Sequence, residues 1–436
     1  MLAAAASAGP VHPIFVLDPE ALRRHASPNR HAFLSEALHD LDASLQRLGG
    51  QLRILAATTS WVDSVTSEAT RIGATAVHCS ADFSGFAQRR LETLERALEA
   101  NHCVLHRHPG VAAVPPGSVH TGSGTPFRVF TPYFRRWSEY EVGRPIAPAT
   151  LRTAEPASPD DRDQLDAAIA AAAMTSPGRP RGGETEARAS LRRWAARGLA
   201  MYGDRHNDLA GDATSKVAAA LHFGCLSPRE VVVRFRDRPG AAPFLRQLAW
   251  RDFFLQVLAT RVDVAHTDLR PREFAWRTDD DAFAAWAEGR SGYPIVDAGM
   301  RQLRSEGFMH NRARMIVASF LTKDLAIDWR RGAAEFERWL CDGDIAQNRL
   351  NWQWVAGTGT DSNPHRIFNP TRQSERFDSN GDYIRRYVQE LGAVAAPEIH
   401  DPPPLVRAAL GYPMPIVDHA EAIAEYRGRL SGHVDG

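Results

Sequence analysis

Residues 292–323, GYPIVDAGMRQLRSEGFMHNRARMIVASFLTK, decide the fold of the longer half of this 436-residue chain. Apolar residues recur at three- and four-residue steps on both sides of Gly307. The spacing predicts two helices, 295–306 and 310–323, joined at the glycine. Outward from there, helical periodicity continues in 187–197, 227–235, 243–259, 333–341 and 420–430, with Gly and Pro at the joints. No heptad or repeat period is present, so residues 187–436 are expected to form a large all-α domain. Eleven prolines punctuate 107–186. That density predicts an inter-domain connector with a few short helical turns, 160–173 among them. Residues 1–106 alternate instead. Short apolar runs at 11–17, 52–56, 74–78 and 103–105 read as buried parallel strands, and 30–48, 60–72 and 83–100 as the helices between them. The N-terminal part is therefore a Rossmann-like α/β layer.

Composition narrows the functions available. Lys+Arg and Asp+Glu both number 52, so no global field marks a polyanion partner, and a nucleic-acid site has to be a local patch. Lys216 and Lys323 are the only lysines. The remaining cations are arginines, suited to bidentate phosphate contacts. Cys79, Cys103, Cys225 and Cys341 have no CxxC spacing, which argues against a zinc site and a disulfide framework and fits a reducing cytoplasm. No metal is expected. No apolar run approaches the ~20 residues of a membrane helix. The alanine-rich opening lacks the positive start and long apolar core of a secretion signal. Neither a GxGxxG nor a P-loop is present.

Three clusters could carry chemistry. Seven of the ten tryptophans lie between Trp250 and Trp354, several beside charged or amide residues. Each one taken alone is an ordinary core residue; together they would suit a cavity that stacks a flat ligand or bases. Asp342-Gly343-Asp344 precedes Asn348, Asn351, Gln353 and the GTGTD string at 357–361. The two carboxylates could hold a hard cation, but no EF-hand spacing follows; capping and arginine pairing are the alternatives. Thr214-Ser215-Lys216 precedes the apolar run 217–223, a phosphate seat or a plain helix cap. Arg251, Arg312, Arg314 and Arg366 would give a phosphate-facing patch or a solvated surface. These residues describe a helical domain with an aromatic and polar cavity for a phosphorylated, flat cofactor.

Read in order, these segments resemble the photolyase/cryptochrome family. The strings are Tyr202…Thr214-Ser215, QLAWRD at 247–252, GYPIVDAGMRQL at 292–303, MHNRARM at 309–315, DGDIAQNRLNWQW at 342–354, GTGTD at 357–361 and IFNP at 367–370. The likeness spans nearly the whole chain, is most specific over 200–390, and is nearest to bacterial class I cyclobutane pyrimidine dimer photolyases. It implies a U-shaped FAD in the helical domain beneath a pocket for a flipped-out dimer. Tyr202, Thr214 and Ser215, with Lys216 and Val217, would face the adenine and phosphates. Asn311, Arg314, Asp342, Gly343, Asp344 and Asn348 would meet the ribityl and isoalloxazine parts, Arg314 pairing with Asp342. Trp352, Trp329 and Trp276 would carry electrons between flavin and surface. Gln247, Trp250, Met315 and Trp354 would line the lesion pocket, and Arg251, Arg312 and Arg366 would face phosphates. The implied chemistry is light-driven electron donation from reduced, anionic flavin to the dimer, with Gln247 and Asn348 adjoining the reacting groups. Damaged DNA is the implied partner. A cytoplasmic monomer with no membrane and no obligate protein partner is expected.

Four features depart from the family pattern or leave it open. Gln247 stands where dimer photolyases usually carry Glu, as it does in relatives that repair (6-4) lesions; the second His of those relatives is absent. The phosphate seat reads Thr214-Ser215-Lys216-Val217-Ala218, one hydroxyl short of the usual Thr-Ser-x-Leu-Ser. The usual first strand has no counterpart, so the α/β layer is expected to lack it, through a misassigned start or a truncation. The type of a second, antenna chromophore is not readable from the sequence: no counterpart of the family's folate-clamping Glu lies near Gly85-Phe86, so a deazaflavin or none fits as well. The alternative activities are a cryptochrome-like blue-light receptor that binds FAD without efficient repair, or repair of (6-4) photoproducts.

Overall fold

The computed structural model of the chain describes residues 1–24, 26–57, 59–146, 150–152, 161–163, 166–167, 175–211, 213–272 and 274–431. Its strands are β1 (Ile14–Leu17), β2 (Arg53–Ala56), β3 (Ala76–Ser80) and β4 (Val104–His108). β1 pairs in parallel with β2, Val16 opposite Leu55; β3 pairs in parallel with β4, Val77 opposite Leu105. Parallel neighbours need a crossover. Helices Pro28–Arg47, Trp61–Arg71 and Gly85–Glu99 occupy the three connections. Ser27, Ser60 and Ser84 start them, each hydroxyl accepting from the backbone N–H three residues on.

The α/β layer expected from sequence is present, in two halves. Among the described residues no strand joins β1 to β3, so each sheet has two strands. One core nevertheless serves both: Val16 and Leu55 from the first pair and Leu105 from the second pack with Leu91, Leu94 and Leu98. The apolar faces are shared while the hydrogen-bond ladder is interrupted.

The chain packs as two compact units. The first comprises Met1–Thr175, Arg181–Ala200 and Ser215–Asp263; the second comprises Ser176–Pro180, Met201–Thr214 and Val264–Gly436. Helices Glu184–Arg197, Pro228–Phe235 and Ala242–Thr260, grouped by sequence with the helical half, pack in the first unit. The expected turn at 160–173 lies largely outside the described residues.

The second unit is helical around a core that includes Trp286, Met300, Leu303, Phe320, Trp329, Phe336 and Trp352. Pro294 opens the Pro294–Glu306 helix, and Gly307, at φ 56°, closes it in the left-handed region. The next helix, expected to run unbroken over 310–323, is regular only over Asn311–Ser319 and continues as a π turn, Phe320–Asp324. The cause is polar. Lys323, fully buried, donates to the carbonyl of Ala356 (2.9 Å) and the hydroxyl of Tyr426 (2.6 Å), and buried Asp324 pairs with His419. These three partners sit on two other helices, Ile345–Ala356 and His419–Ser431, and a widened turn aims the two side chains at them. Among the described residues no helix is long and apolar enough to cross a membrane.

Candidate functional site

In the second unit the Asp342–Asn348 segment turns into the Ile345–Ala356 helix. Asp344 caps that helix, its carboxylate accepting from the backbone N–H of Gln347 (3.0 Å), while Gly343 separates it from Asp342. Asp342 accepts twice from Arg314 Nη2, at 3.1 and 2.9 Å, and Arg314 Nε is held by the carbonyl of Met309 (2.8 Å). Asn348 is buried, and its amide donates to the carbonyl of Ala333 (2.9 Å) and to Glu337 (3.1 Å). Glu337 also takes both arms of Arg349. Asn311 is exposed, and its amide reaches the sulfur of half-buried Met315 at 4.0 Å.

His310 caps the Asn311–Ser319 helix through Nδ1, which accepts from the N–H of Arg312 (3.1 Å). Its Nε2 is buried with no partner among the described residues. Burial, together with the charges of Arg314 and Arg312, holds this imidazole down to about 4, so it is neutral at pH 7. Tyr202 is buried and stacks on His206, with centroids 5.3 Å apart. Thr214 is half-buried near the end of its stretch.

The unit also gathers cations. Arg312 lies over the ring of Phe377 at 4.3 Å, with Nε and Nη2 donating to Asn207 Oδ1. Arg376 lies over the same ring at 5.0 Å. Arg366 sits 5.1 Å above half-buried Trp354 and 3.7 Å from Asp361. Burial and the charges of Arg376 and Arg366 push the Arg312 guanidinium below its ordinary value. Like charges held this close favour a polyanionic partner. Sequence reasoning missed Arg376, Phe377 and Asn207; nothing in the local pattern marks them.

The tryptophans are graded by depth: Trp352 and Trp329 are buried, Trp276 half-buried. Trp352 meets Phe336 edge-on at 4.9 Å. Its ring lies on Gly332, where an added Cβ would come within 2.3 Å of Cη2.

In the first unit, Gln247, Trp250 and Arg251 lie on one face of the Ala242–Thr260 helix. Gln247 is exposed. Trp250 stacks flat on Phe130, 3.7 Å between centroids and 7° between planes, with Phe253 edge-on at 5.7 Å. Arg251 is largely buried, and its guanidinium donates to the carbonyls of Val111 and Leu221. Next to it Asp252, pushed up to about 6 by burial, accepts from the N–H groups of Ala113 and Val114 and from Trp137. Ser215 is half-buried, Lys216 adopts a left-handed φ of 51°, and buried Val217 starts a five-residue helix, Ala218–His222. The first unit also holds a cavity of about 580 Å³ lined by Phe83, Gln88, Arg89, His120, Gln256 and Thr260 among others.

Residues 244–431 match the family model described as the FAD-binding domain of DNA photolyase, and residues 1–154 match the DNA photolyase model. The chain belongs to the photolyase/cryptochrome family. It is 47% identical to a deoxyribodipyrimidine photo-lyase of Streptomyces griseus, covering 97% of this chain and 94% of that one. A deoxyribodipyrimidine photo-lyase of Halobacterium salinarum is 38% identical, over 95% and 90%. Among solved photolyases, a class III enzyme from Agrobacterium tumefaciens superposes with a TM-score of 0.91 at 32% identity, covering 100% of this chain and 95% of that one. A Synechocystis cryptochrome gives 0.87 at 28%, covering 98% and 94%. The second unit suits the family's flavin on its own evidence. The buried, unpartnered Nε2 of His310 lies among residues that include an exposed asparagine and the Arg314–Asp342 pair. Such a polar group is stable in a buried place when a ligand meets it.

Proposed function

We propose that this photolyase-family chain binds FAD and repairs cyclobutane pyrimidine dimers in DNA by light-driven electron transfer. One observation carries the proposal. A chain alignable over 97% of its length with a deoxyribodipyrimidine photo-lyase places Arg314, Asp342, Asp344, Asn348, Trp352 and Trp354 in one compact unit. FAD, when bound and reduced, supplies a one-electron donor on absorbing blue light.

The protein's own residues bind, orient and exclude water. Arg314 and Asp342, neutralising one another, offer hydrogen bonds to a polar ring without adding net charge. Asp344 is committed to its helix, fixing where that helix starts. Asn348 carries an amide, which does not titrate, so it orients without acting as an acid. In the second unit Tyr202 and Thr214 would hold the nucleotide end, and Asn311 the polar ring edge. In the second unit Trp354 would stack on the flipped-out lesion; in the first unit Trp250 offers an aromatic face and Gln247 an exposed amide. Arg312, Arg366 and Arg376 would take phosphates. Flipping costs a few kcal/mol and least for a distorted lesion, which favours damaged sites. Trp352, Trp329 and Trp276 would conduct electrons inward from the surface.

The Sulfolobus tokodaii photolyase of known structure, 29% identical, holds two FAD molecules. We place a second chromophore of this chain in the 580 Å³ cavity of the first unit, whose aromatic and proline walls with Arg89 and His120 suit a flat, anionic ligand. The working form is proposed as a cytoplasmic monomer. Gln247 in place of the usual Glu favours one rival reading, a light receptor that binds FAD without repairing. Illuminating the FAD-loaded, reduced protein with dimer-containing DNA separates the two. Thymines restored in light and not in darkness support repair; bound FAD without light-dependent restoration overturns it in favour of the receptor.

A further inference from the structure

The tryptophans of the second unit differ in what their indole N–H groups meet. Trp352 is 2% exposed, and its Nε1 has no acceptor among the described residues. Gly332, on which its ring rests, stands three residues after Trp329 on the same Trp329–Trp339 helix. Trp329 is fully buried too, yet its Nε1 donates to Asp268 Oδ1 at 2.9 Å. The same oxygen accepts from Arg330 Nη2 at 2.9 Å, and the Arg330 guanidinium lies 4.7 Å over the Trp329 ring. Asp268 also lines, with Trp276, a small cavity of about 10 Å³. Trp286 meets Trp352 edge-on at 6.1 Å, but gives its N–H to the neutral carbonyl of Val317 at 3.0 Å.

We propose that Asp268 is a positioning residue that sets the direction in which an oxidising equivalent leaves Trp352. The proposal rests on the tryptophan-chain reading given above. Removing an electron from an indole leaves a cation and makes its N–H a stronger donor. A carboxylate in hydrogen-bond contact stabilises that cation far more than it stabilises the neutral ring. Trp329 has such an acceptor, Trp286 has a carbonyl, and Trp352 has neither. Of these three the easiest to oxidise is therefore Trp329, and the side branch to Trp286 is disfavoured.

The step balances without a proton. On illumination Trp352 would give up one electron, for which oxidised FAD, when bound, would supply the acceptor. The Trp352 cation takes one electron from Trp329, returning to neutral indole, and the Trp329 N–H stays on Asp268. Arg330 works in the opposite sense, because its charge over the ring face disfavours a cation there. Asp268 offsets that charge as well as attracting the hole. Its removal therefore acts twice in one direction, and removal of Arg330 acts in the other.

The test uses the full chain loaded with FAD. Flash absorption reads the fraction of oxidised tryptophan that survives recombination, and steady illumination with an external thiol reads photoreduction. Asp268→Asn is expected to lower both by about tenfold or more, the fold-change of losing a hydrogen bond to a charged group. Asp268→Glu should restore most of the loss, and Arg330→Gln should leave both at or above the parent level. In the protein without illumination, the Trp329 Nε1–H resonance should move in Asp268→Asn while other indole resonances stay, which excludes general misfolding. Arg330→Gln lowering both signals as far as Asp268→Asn would overturn the proposal. If Trp352→Phe leaves photoreduction intact, the tryptophan chain itself is wrong. If Trp352→Phe abolishes photoreduction and Asp268→Asn does not change it, only the role of Asp268 falls.

Discussion

Arg314 is the residue on which the polar cluster turns, because its guanidinium holds Asp342 while Met309 fixes its stem. Arg314→Ala would leave a mostly buried carboxylate without its cation, at a cost of about 2 kcal/mol. The expected result is a lower urea midpoint and faster FAD release, followed by flavin fluorescence. Trp250 presents a flat ring already stacked on Phe130. Trp250→Ala should weaken binding of dimer-containing DNA by ~1–3 kcal/mol, with binding to undamaged DNA little changed; equal losses on both would remove it from the lesion pocket. Gly332 is the third such residue. Its missing side chain lets Trp352 and Leu321 close on the Trp329–Trp339 helix, at 2.3 and 2.6 Å from a built Cβ. Gly332→Ala should cost about 1–3 kcal/mol by overpacking and shift the near-ultraviolet dichroism of the tryptophans.

Among elements, the α/β layer is the most exposed to change. β1 and β3 each pair on one side, with no strand joining them among the described residues, so their remaining N–H and C=O groups depend on other partners. Amide exchange should therefore be orders of magnitude faster at the unladdered positions of β1 and β3 than in the Gly85–Glu99 helix that carries buried Leu94 and Leu98. Uniform protection across the layer would contradict this. The π turn at Phe320–Asp324 is also irregular, but its three polar side chains are buried and each has a partner: Thr322 on the Ala318 carbonyl, Lys323 on Tyr426 and Asp324 on His419 through Oδ1.

Two properties belong to the molecule as a whole. Burial holds Lys323 down to about 7, against 10.5 when unfolded. Between those values the unfolded chain keeps a proton that the folded chain has released, so this residue makes stability rise with pH, by an amount on the order of a few kcal/mol. Cys79, Cys103 and Cys225, pushed up by burial, act against it at the upper end. The informative quantity is thus the difference from Lys323→Met, which should lose its own share of the gain between about pH 7 and pH 9 in denaturant titrations. The other property is salt dependence. The chain has no net charge, so on the proposed reading DNA affinity rests on a local patch, with Arg312, Arg366 and Arg376 as its phosphate contacts. Three phosphate contacts predict a slope of log affinity against log salt near −3, reduced by about one in Arg312→Gln.

By itself, the sequence determined what is local or periodic. The strands, the crossover helices and the 294–306 helix lie within a few residues of their expected ends, because apolar spacing and Ser, Pro and Gly boundaries act over a single turn. The family segments were legible too, as fixed strings in fixed order. Only the tertiary structure decided what depends on distant partners. The Arg314–Asp342 pair was implied by the family strings, but it was the structure that gave Asp344 to a helix cap and turned the Arg251 guanidinium toward the Val111 and Leu221 carbonyls. It brought Asp268 to Trp329 across 61 positions and Asn207 to Arg312 across 105. No periodicity encodes such pairs. Each is fixed by the need of a buried polar group for a partner, met wherever the packed helices bring one within about 3 Å.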